Sequence, residues 1–576
     1  MSQESLWYLG IDLGTTALRA VLLQTSPQNP PQEYPLYWQN LSGSNSDEQH
    51  RELPAVAYLN VVGISSPSAS PLVGWEALAR SDGKEGVFLD ALKASLNLGI
   101  PYYARGLNRW EPKLQASSHL ELSLDWIQLA MGALLATLNG ENEGNCLLCA
   151  RGLVEQDFKR ALKQLRGAIL SCPTSWSEAY RFNLREAVLG AGLVEKSEQI
   201  FFVEEAIAAL LGASQWQDKP YDGYYSLPPG ATLVLHGGAT TTELALGTIP
   251  ESSEELSYSN WTLGSLAYGG RAIAEDIFYQ LLYPQWLPQQ PFLAKLNLEM
   301  PQPGQSDRVR RDRARAQLLG FPGSRRWLET AERARRILQC QDQFTAQLGD
   351  QEWGIQRQAF QQCIVAPWLQ QLNGELNALL GQTGLSPERV ERVFCSGGSV
   401  LAVFDELRHW LALKLPNATL VRETEGEGNG WVVSGLARLP FFPQVSDRIR
   451  HQYGDYFLLR ELLQVLPHRS FSLEELMAKL ERRGINTRAC ASQVLSLLEG
   501  YLPPGLVPTT ANAHQLTVAS QQNRDYLSIT TAPLFVRADG GRYRADGKQC
   551  QRLRQYFLAL LSAKQQTLEE PLIFEL

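Results

Sequence analysis

The chain has 576 residues, of which 44% are hydrophobic and 19% charged, and its formal net charge is -8. Since a single hydrophobic core stops growing near ~250–300 residues, this length predicts more than one core. The acidic balance argues against a general nucleic-acid binder, and eight cysteines are too few for a disulfide scaffold. The sequence shows neither a secretory leader nor an apolar stretch that could span a membrane, so we expect a cytoplasmic protein that does not enter a membrane.

In chain order, the first predicted elements form a hairpin. Residues 7–12 and 18–23 are predicted strands joined by a Gly-Thr-Thr turn. The segment 26–49 is rich in Pro, Ser and Asn, which predicts a long surface loop. Residues 168–171 predict a further strand, and a capping-box pattern formed by Ser175 and Glu178 predicts the start of a helix.

A second hairpin is predicted later in the chain. Residues 231–235 form its first strand, a small-residue turn follows at 236–242, and the chain then returns as a strand. A strand over 390–395 leads into a Gly-Gly-Ser turn at 397–399, and a helix is predicted over 400–413. The two hairpins therefore share one design, a strand that ends in a turn of small residues.

After Pro440 the composition changes to Leu-rich helices followed by short strands, which predicts a separate mixed α/β module over residues 445–576. Helices are predicted over 455–466 and 487–498, and the Asp-Gly pair at 539–540 predicts a hairpin. This order resembles a winged-helix pattern, but its basic residues are interleaved with acidic ones. We therefore expect the module to bind other proteins, and we do not expect a nucleic-acid partner.

Small residues cluster in three turns that follow strands, a pattern typical of a triphosphate site. The first turn contains Asp12, Gly14, Thr15 and Thr16, the second Gly237, Gly238 and Thr241, and the third Gly397, Gly398 and Ser399. Backbone N–H groups can approach phosphate oxygens closely only where side chains are small. A carboxylate beside such a turn can hold the water shell of Mg²⁺. The sequence contains neither a GxxxxGK[ST] run nor a GxGxxG run, so a P-loop or a dinucleotide site has little support.

Several runs resemble, in order, the nucleotide-binding domain of DnaK-type 70-kDa heat-shock chaperones, which belong to the actin-like ATPase superfamily. They are LGIDLGTTALRAVLL from Leu9, SCPTSWSEAYRFNLREAVLGAGL from Ser171, EEAIAALLG from Glu204, LVLHGGATTTELALG from Leu233, LAYGGRAIAEDIF from Leu266, AERARRIL from Ala331 and VFCSGGSVLAVFDEL from Val393. The resemblance implies an α/β, two-lobed actin-like ATPase fold over residues 1–440. It also implies that ATP or ADP binds with Mg²⁺ in the cleft between the lobes.

The same resemblance implies roles for individual residues. Catalytic roles fall to Asp12, Glu204, Lys93, His236 and Glu243, and the Mg²⁺ shell to Asp12 and Glu204. The implied nucleotide contacts are Gly14, Thr15, Thr16, Gly237, Gly238, Thr241, Gly269, Gly270, Glu332, Arg335, Arg336, Gly397, Gly398 and Ser399. Lys93, in the run DALKASLNLG, resembles the family's phosphate-bridging lysine, and a solvated surface lysine is the alternative interpretation.

The chain departs from the family pattern at four positions. His236 replaces the Asp that normally begins the second phosphate motif, and Glu205 replaces the Pro that follows the connecting-segment Glu. Leu401 and Asn429 replace an Arg and an Asp. Because imidazole suits Mg²⁺ poorly, we expect a nucleotide-gated switch that hydrolyses ATP slowly. The alternatives are a competent ATP-dependent folding chaperone and, further away, a filament-forming protein or a small-molecule kinase of the same fold, for which the sequence indicates no dedicated second-substrate pocket.

Overall fold

The structure, a computed structural model, describes a set of ranges that together cover most of the chain. They are residues 5–26, 29–41, 48–60, 70–81, 86–90, 92–98, 113–117, 120–141, 146–217, 224–286, 298–321, 323–348, 351–424, 430–507, 515–522, 524–530, 532–562 and 564–576. Several sheets and many helices alternate along these ranges, so the mixed α/β class predicted from the sequence is confirmed.

The strands are, in chain order, β1 (Leu6–Leu13), β2 (Ala17–Ser26), β3 (Asn29–Asn40), β4 (Gln49–His50), β5 (Leu53–Pro54), β6 (Ala57–Asn60), β7 (Leu72–Val73), β8 (Gly86–Leu89), β9 (Lys113–Ser117), β10 (Leu120–Ser123), β11 (Cys146–Ala150), β12 (Leu165–Cys172), β13 (Ile200–Glu204), β14 (Gln215–Gln217), β15 (Tyr224–Ser226), β16 (Gly230–Gly237), β17 (Thr242–Ile249), β18 (Trp261–Leu266), β19 (Gln343–Leu348), β20 (Gln351–Gln356), β21 (Arg392–Ser396), β22 (Thr419–Arg422), β23 (Phe535–Ala538) and β24 (Arg542–Ala545).

The helices are α1 (Gly74–Ala79), α2 (Leu92–Ser95), α3 (Leu124–Ala136), α4 (Glu155–Lys163), α5 (Glu178–Gly190), α6 (Glu205–Gly212), α7 (Gly270–Asp276), α8 (Tyr283–Trp286), α9 (Arg308–Leu319), α10 (Ser324–Ile337), α11 (Arg357–Phe360), α12 (Ala366–Thr383), α13 (Gly398–Leu401), α14 (Phe404–Lys414), α15 (Trp431–Arg438), α16 (Arg448–Gln452), α17 (Asp455–Val465), α18 (Leu473–Glu481), α19 (Ala491–Leu498), α20 (Val518–Gln521), α21 (Arg524–Thr530) and α22 (Gly547–Leu561). Two π-helical segments, Ile277–Leu282 and Gln361–Val365, connect α7 to α8 and α11 to α12.

The first half of the chain forms an eight-stranded sheet. Its order is β11-β3-β2-β1-β12-β13, with β4 beside β3 and β5 beside β2. The surface loop predicted over residues 26–49 is wrong, because β3 covers much of this segment and pairs with both β2 and β11. Leu36 and Trp38 are fully buried there, and this burial outweighs the turn propensity of the Pro- and Asn-rich flanks.

A second, five-stranded sheet repeats the topology of the first. Its order is β18-β17-β16-β21-β22, in which β16 and β17 form an antiparallel hairpin and β18 runs antiparallel to β17. β21 and β22 follow in parallel to β16. The series β3-β2-β1-β12-β13 has the same sequence of antiparallel and parallel neighbours. The turn of each hairpin therefore has an equivalent position in the other sheet.

A shared apolar core lies between the two sheets and contains α6 and α15. Its members come from the first sheet, from both helices and from the second sheet, for example Val21, Phe201, Ile207, Val433, Val234 and Phe394. The two helices cross at backbone contact, because a Cβ added to Gly435 would overlap the carbonyl oxygen of Ala208. Only glycine at residue 435 permits this close crossing.

The C-terminal helices pack on the other face of the first sheet. Leu459 and Phe557 belong to the same buried cluster as Leu9 and Ala168. α17 and the β23–β24 hairpin lie where the sequence predicts them, whereas the helix predicted over 487–498 begins only at Ala491. The division of the chain near residue 445 stays a prediction.

Two further helix predictions need correction. α5 begins at Glu178 with Ser177 as its N-cap, so the capping box at Ser175 is wrong. The Ser175 hydroxyl lies 3.3 Å from that of Ser265 instead. The helix predicted over 400–413 is broken into α13 and α14, since Val403 leaves helical geometry with φ -125° and ψ 31°. Across the described ranges, no helix combines the length and apolarity needed to cross a bilayer.

Candidate functional site

The turns of the two hairpins meet. In the β1–β2 turn the Gly14 N–H donates to the Ala17 carbonyl at 2.9 Å, and in the β16–β17 turn the Gly238 N–H donates to the Thr241 carbonyl, also at 2.9 Å. The hydroxyl oxygens of Thr15 and Thr240 lie 3.3 Å apart although 225 positions separate them in sequence. The structure thus brings the first and second predicted turns together, with exposed Thr16 beside them and Thr241 buried behind.

A polar residue ends the first strand of each hairpin. Asp12 on β1 accepts a hydrogen bond from Ser171 of β12 at 2.9 Å between oxygens. His236 on β16 is hydrogen-bonded through Nδ1 to the Ser396 hydroxyl of β21 at 3.0 Å. Carboxylate and imidazole therefore occupy equivalent places, and each is oriented by a serine of the neighbouring parallel strand.

The third predicted turn lies against the second hairpin. Gly397 has φ 82°, and a Cβ there would lie 2.5 Å from the Gly237 carbonyl oxygen, so no side chain fits. The neighbouring Ser399 is buried, and its hydroxyl has no hydrogen-bond partner among the described residues. A buried hydroxyl without a partner is costly in a folded protein, and a ligand atom could satisfy it.

The start of α7 and the end of α10 flank this turn. The Gly270 N–H donates to the Gly238 carbonyl at 3.0 Å, and Gly269 precedes it as the N-cap of α7. Arg335 donates from Nη1 to the Gly398 carbonyl at 3.4 Å, and Glu332 pairs with Arg335 at 2.6 Å. Arg336 also reaches Glu332, at 3.3 Å, but its side chain is 72% exposed. Of the two predicted arginine contacts, only Arg335 lies against the glycine turns.

Lys93 forms a buried ion pair at the same site. Its Nζ lies 2.7 Å from Oε1 of Glu205, and both side chains are almost fully buried. The solvated-lysine alternative is therefore wrong. Burial lowers the pKa of Lys93, but the charge of Glu205, its hydrogen bond to Lys93, and the smaller effects of Tyr180 and Asp12 together raise this pKa. Burial raises the pKa of Glu205, and the charge of Lys93 together with nearby His236 lowers it overall.

The two consecutive acids Glu204 and Glu205 face different partners. Glu204 accepts a hydrogen bond from buried Arg181 at 3.0 Å, and the Tyr258 hydroxyl lies 3.5 Å from the same oxygen. Glu205 instead lies near His236, with 3.9 Å between Oε2 and Nε2. The carboxylate that reaches the hairpin turns is thus that of Glu205, which sequence reasoning treated only as a replaced proline. The two consecutive glutamates at the end of β13 were the sequence feature that could have pointed to Glu205 as a site residue.

Glu243 links the two sheets. Its carboxylate accepts from the Thr174 N–H at 3.1 Å and from the Ser265 hydroxyl at 2.8 Å, and the side chain is fully buried. Burial, with a smaller contribution from the negative charge of Glu205, raises the pKa of Glu243 to about 7. A carboxyl whose pKa is raised in this way is suited to proton transfer, and the catalytic role of Glu243 stays a prediction.

Among the described residues of the site, few side chains are suited to bind Mg²⁺. No cluster of three or more His, Cys, Asp or Glu side chains with metal-binding geometry occurs among the described residues. Asp12, half-buried beside the turns and oriented by Ser171, fits an ion that keeps several waters and takes few protein ligands. Glu204 fits this role less well, since Arg181 already binds its carboxylate. Asn429 lies outside the described residues.

No family model matches the chain, and no curated protein matches it either.

Proposed function

We propose that the protein is an ATP-binding switch of the actin-like, DnaK-type design, with two lobes that hold the nucleotide between them. The contact between Thr15 and Thr240 carries the proposal, because it joins the turns of two hairpins from sheets of equal topology. Backbone N–H groups and hydroxyls at turns of small residues are suited to the oxygens of a polyphosphate.

The nucleoside end of the proposed site is supported by the third turn. The unpartnered Ser399 hydroxyl and the Arg335 guanidinium both lie beside Gly398. A planar guanidinium can stack on a purine base, and a buried hydroxyl can hydrogen-bond to it. Adenine and ribose would therefore lie along α13 and the end of α10, with the phosphates directed to the two hairpin turns.

Slow hydrolysis is supported by the residues around the phosphates. Mg²⁺, when bound with ATP, supplies charge neutralisation for phosphoryl transfer, and Asp12 is the carboxylate that would hold its water shell. His236 cannot repeat this role, since imidazole is a poor ligand for Mg²⁺. Lys93 must also leave Glu205 before it can neutralise a phosphate. Breaking this buried pair opposes the catalytic arrangement.

Thermal unfolding with Mg·ATP tests the proposal. At a ligand concentration one hundred times its Kd, binding should add ~2.7 kcal/mol to the free energy of unfolding. We expect this gain in the wild-type protein and its loss in the variant Asp12→Ala with Thr15→Val. The matched control is Asp157→Ala with Thr248→Val, at exposed positions on α4 and β17. A wild-type melting curve that millimolar Mg·ATP leaves unchanged would contradict nucleotide binding.

A further inference from the structure

A cavity of about 400 Å³ lies beside the second hairpin turn. Ala239, Thr240 and Thr241 form one side of it, and residues of β8, α7 and α9 form the others. This volume is within the range of small-molecule pockets in proteins. The sequence had indicated no dedicated pocket for a second ligand.

Five arginines line this cavity: Arg271, Arg308, Arg311, Arg315 and Arg325. Three of them are paired with acids. Arg311 binds Asp276 at 2.8 Å, Arg315 binds Asp90 at 2.7 Å and Glu275 at 3.2 Å, and Arg308 lies 3.6 Å from Asp312. These pairs account for the acidic side chains of the cavity wall.

Arg271 and Arg325 have no ion pair with any described residue. Arg271 donates only to the Asp90 backbone carbonyl, at 3.0 Å, and the Arg325 guanidinium lies over the Phe88 ring, 4.1 Å from its centroid. Burial and the charge of neighbouring Arg315 lower the pKa of Arg271, although the charges of Asp90, Glu275 and Asp312 act in the opposite direction. Among the described residues that line the cavity, arginines therefore outnumber acidic side chains.

The charges of Arg271 and Arg325 both affect Asp90, another residue that lines the cavity. Although burial raises it, the charges of Arg315, Arg271 and Arg325 lower the pKa of Asp90 to about 2. Asp90 is thus ionised and already held by Arg315, which leaves the other two guanidinium groups for a ligand. The cavity also has an apolar side formed by Val87, Leu89, Leu122 and Ile127.

The cavity is next to the proposed nucleotide site but is built from other residues. Asp12, Glu205, His236, Arg335 and Ser399 do not line it. The two sites share only the second hairpin turn, where Thr240 contacts Thr15 on one side and the cavity on the other. A ligand in the cavity would therefore lie near the phosphate end of a bound nucleotide without replacing it.

We propose that this cavity binds a small organic anion, whose carboxylate or phosphate oxygens pair with Arg271 and Arg325 and whose carbon skeleton lies on the apolar side. Arginine pairs with carboxylate and phosphate in a fork geometry, and charge-assisted bonds of this kind are the strong ones. Two guanidinium groups select a ligand with at least two negative charges over a neutral molecule of equal size.

Isothermal titration of the full-length protein with citrate and, separately, with inorganic phosphate tests the proposal, at constant ionic strength and without nucleotide. We expect saturable binding of citrate, and weaker binding of phosphate, which lacks a carbon skeleton. Arg271→Gln and Arg325→Gln should each raise the Kd of citrate about tenfold. Arg333→Gln, exposed on the same helix as Arg325, should leave it unchanged. Arg271→Lys keeps the charge and should retain part of the affinity.

Three results would overturn the proposal. One is a wild-type protein that binds neither anion, and a second is unchanged citrate affinity in folded Arg271→Gln protein. The third is loss of citrate binding in the variant Asp12→Ala with Thr15→Val, which would place the anion at the hairpin turns. Mg·ATP binding is measured in the same proteins to keep the two sites apart. If Arg271→Gln loses citrate affinity but still binds Mg·ATP, the anion cavity is separate from the nucleotide site. If no protein binds Mg·ATP, including the wild type, the nucleotide proposal fails while the citrate result stands by itself.

Discussion

The ends of β1 and β16 are equivalent positions in two sheets that share a series of five strands with the same topology. The polar residue at this position is Asp12 in the first sheet and His236 in the second. Asp12 and His236 each precede a glycine turn closed by an N–H to carbonyl bond of 2.9 Å, and each is oriented by a serine on the next parallel strand. The backbone geometry is thus repeated while the chemistry is not. The first end offers a negative oxygen ligand, and the second offers an imidazole close to Glu205.

In the proposed function, this difference would allow both hairpin turns to contact the nucleotide while only one strand end suits Mg²⁺. Backbone N–H groups and hydroxyls at the turns do not depend on residues 12 and 236, so in the proposed function both hairpins would contact phosphate. Metal binding does depend on them, because Mg²⁺ requires oxygen ligands. If the proposed function holds, the turns would provide the binding contacts and the strand-end residues would set the rate of hydrolysis.

The largest effect is expected from a substitution that forces the two sheets apart. Gly435→Val should lower the free energy of unfolding by about 4 kcal/mol or more, or prevent folding, since the added side chain overlaps the Ala208 carbonyl between the sheets. Gly381→Ala is the control, because a Cβ there has no neighbour within 4 Å, and it should be neutral or stabilising by up to ~1 kcal/mol. Urea unfolding measures both, and equal stabilities would contradict the close helix crossing.

A second test removes the buried cation of the site. Lys93→Met should cost about 3–5 kcal/mol, since it leaves Glu205 as an uncompensated buried charge. Lys159→Met breaks an exposed pair with Glu155 and should change stability little. The double variant Lys93→Met with Glu205→Leu should recover much of the loss. A double variant no more stable than the single one would show that the pair is not the cause.

A third test replaces the residue at the end of β16 with the type found at the end of β1. His236→Asp gives the second hairpin the carboxylate of the first, and we expect single-turnover ATP hydrolysis to accelerate by about 10–100-fold through the regained metal shell. Without Mg²⁺ the same variant should be less stable than the wild type, because the new charge lies near Glu205. An unchanged single-turnover rate would show that His236 does not limit hydrolysis.

The last prediction concerns the pH dependence of stability. Glu243 has a pKa raised to about 7, above its ordinary value of 4.5, so the folded state keeps this proton when the unfolded state has lost it. Stability should therefore fall as the pH rises from about 4.5 to about 7, by up to about 3 kcal/mol for this group. Glu243→Gln should flatten this part of the curve, whereas Glu254→Gln, at an exposed position, should follow the wild type. A parallel decline in Glu243→Gln would assign it to other groups.

Much of the local structure was predictable because short-range patterns determine it. The strands β1, β2, β16 and β21 and the glycine turns after them lie where alternation and small residues predict them. β3 was missed because its burial between β2 and β11 depends on partners distant in sequence. The same reason applies to α5, whose start is set by packing around Ser177 and not by the capping pattern at Ser175.

Residue type and spacing were enough to predict the three small-residue turns and their order, whereas the family resemblance implies that His236 stands in place of an Asp. Tertiary structure alone decided that Glu205, and not Glu204, reaches the turns, and that Lys93 is buried against it. It also decided that two arginines without acidic partners face one cavity. Side-chain direction at the end of a strand and charge balance within a cavity depend on elements far apart in sequence, so no local pattern carries them.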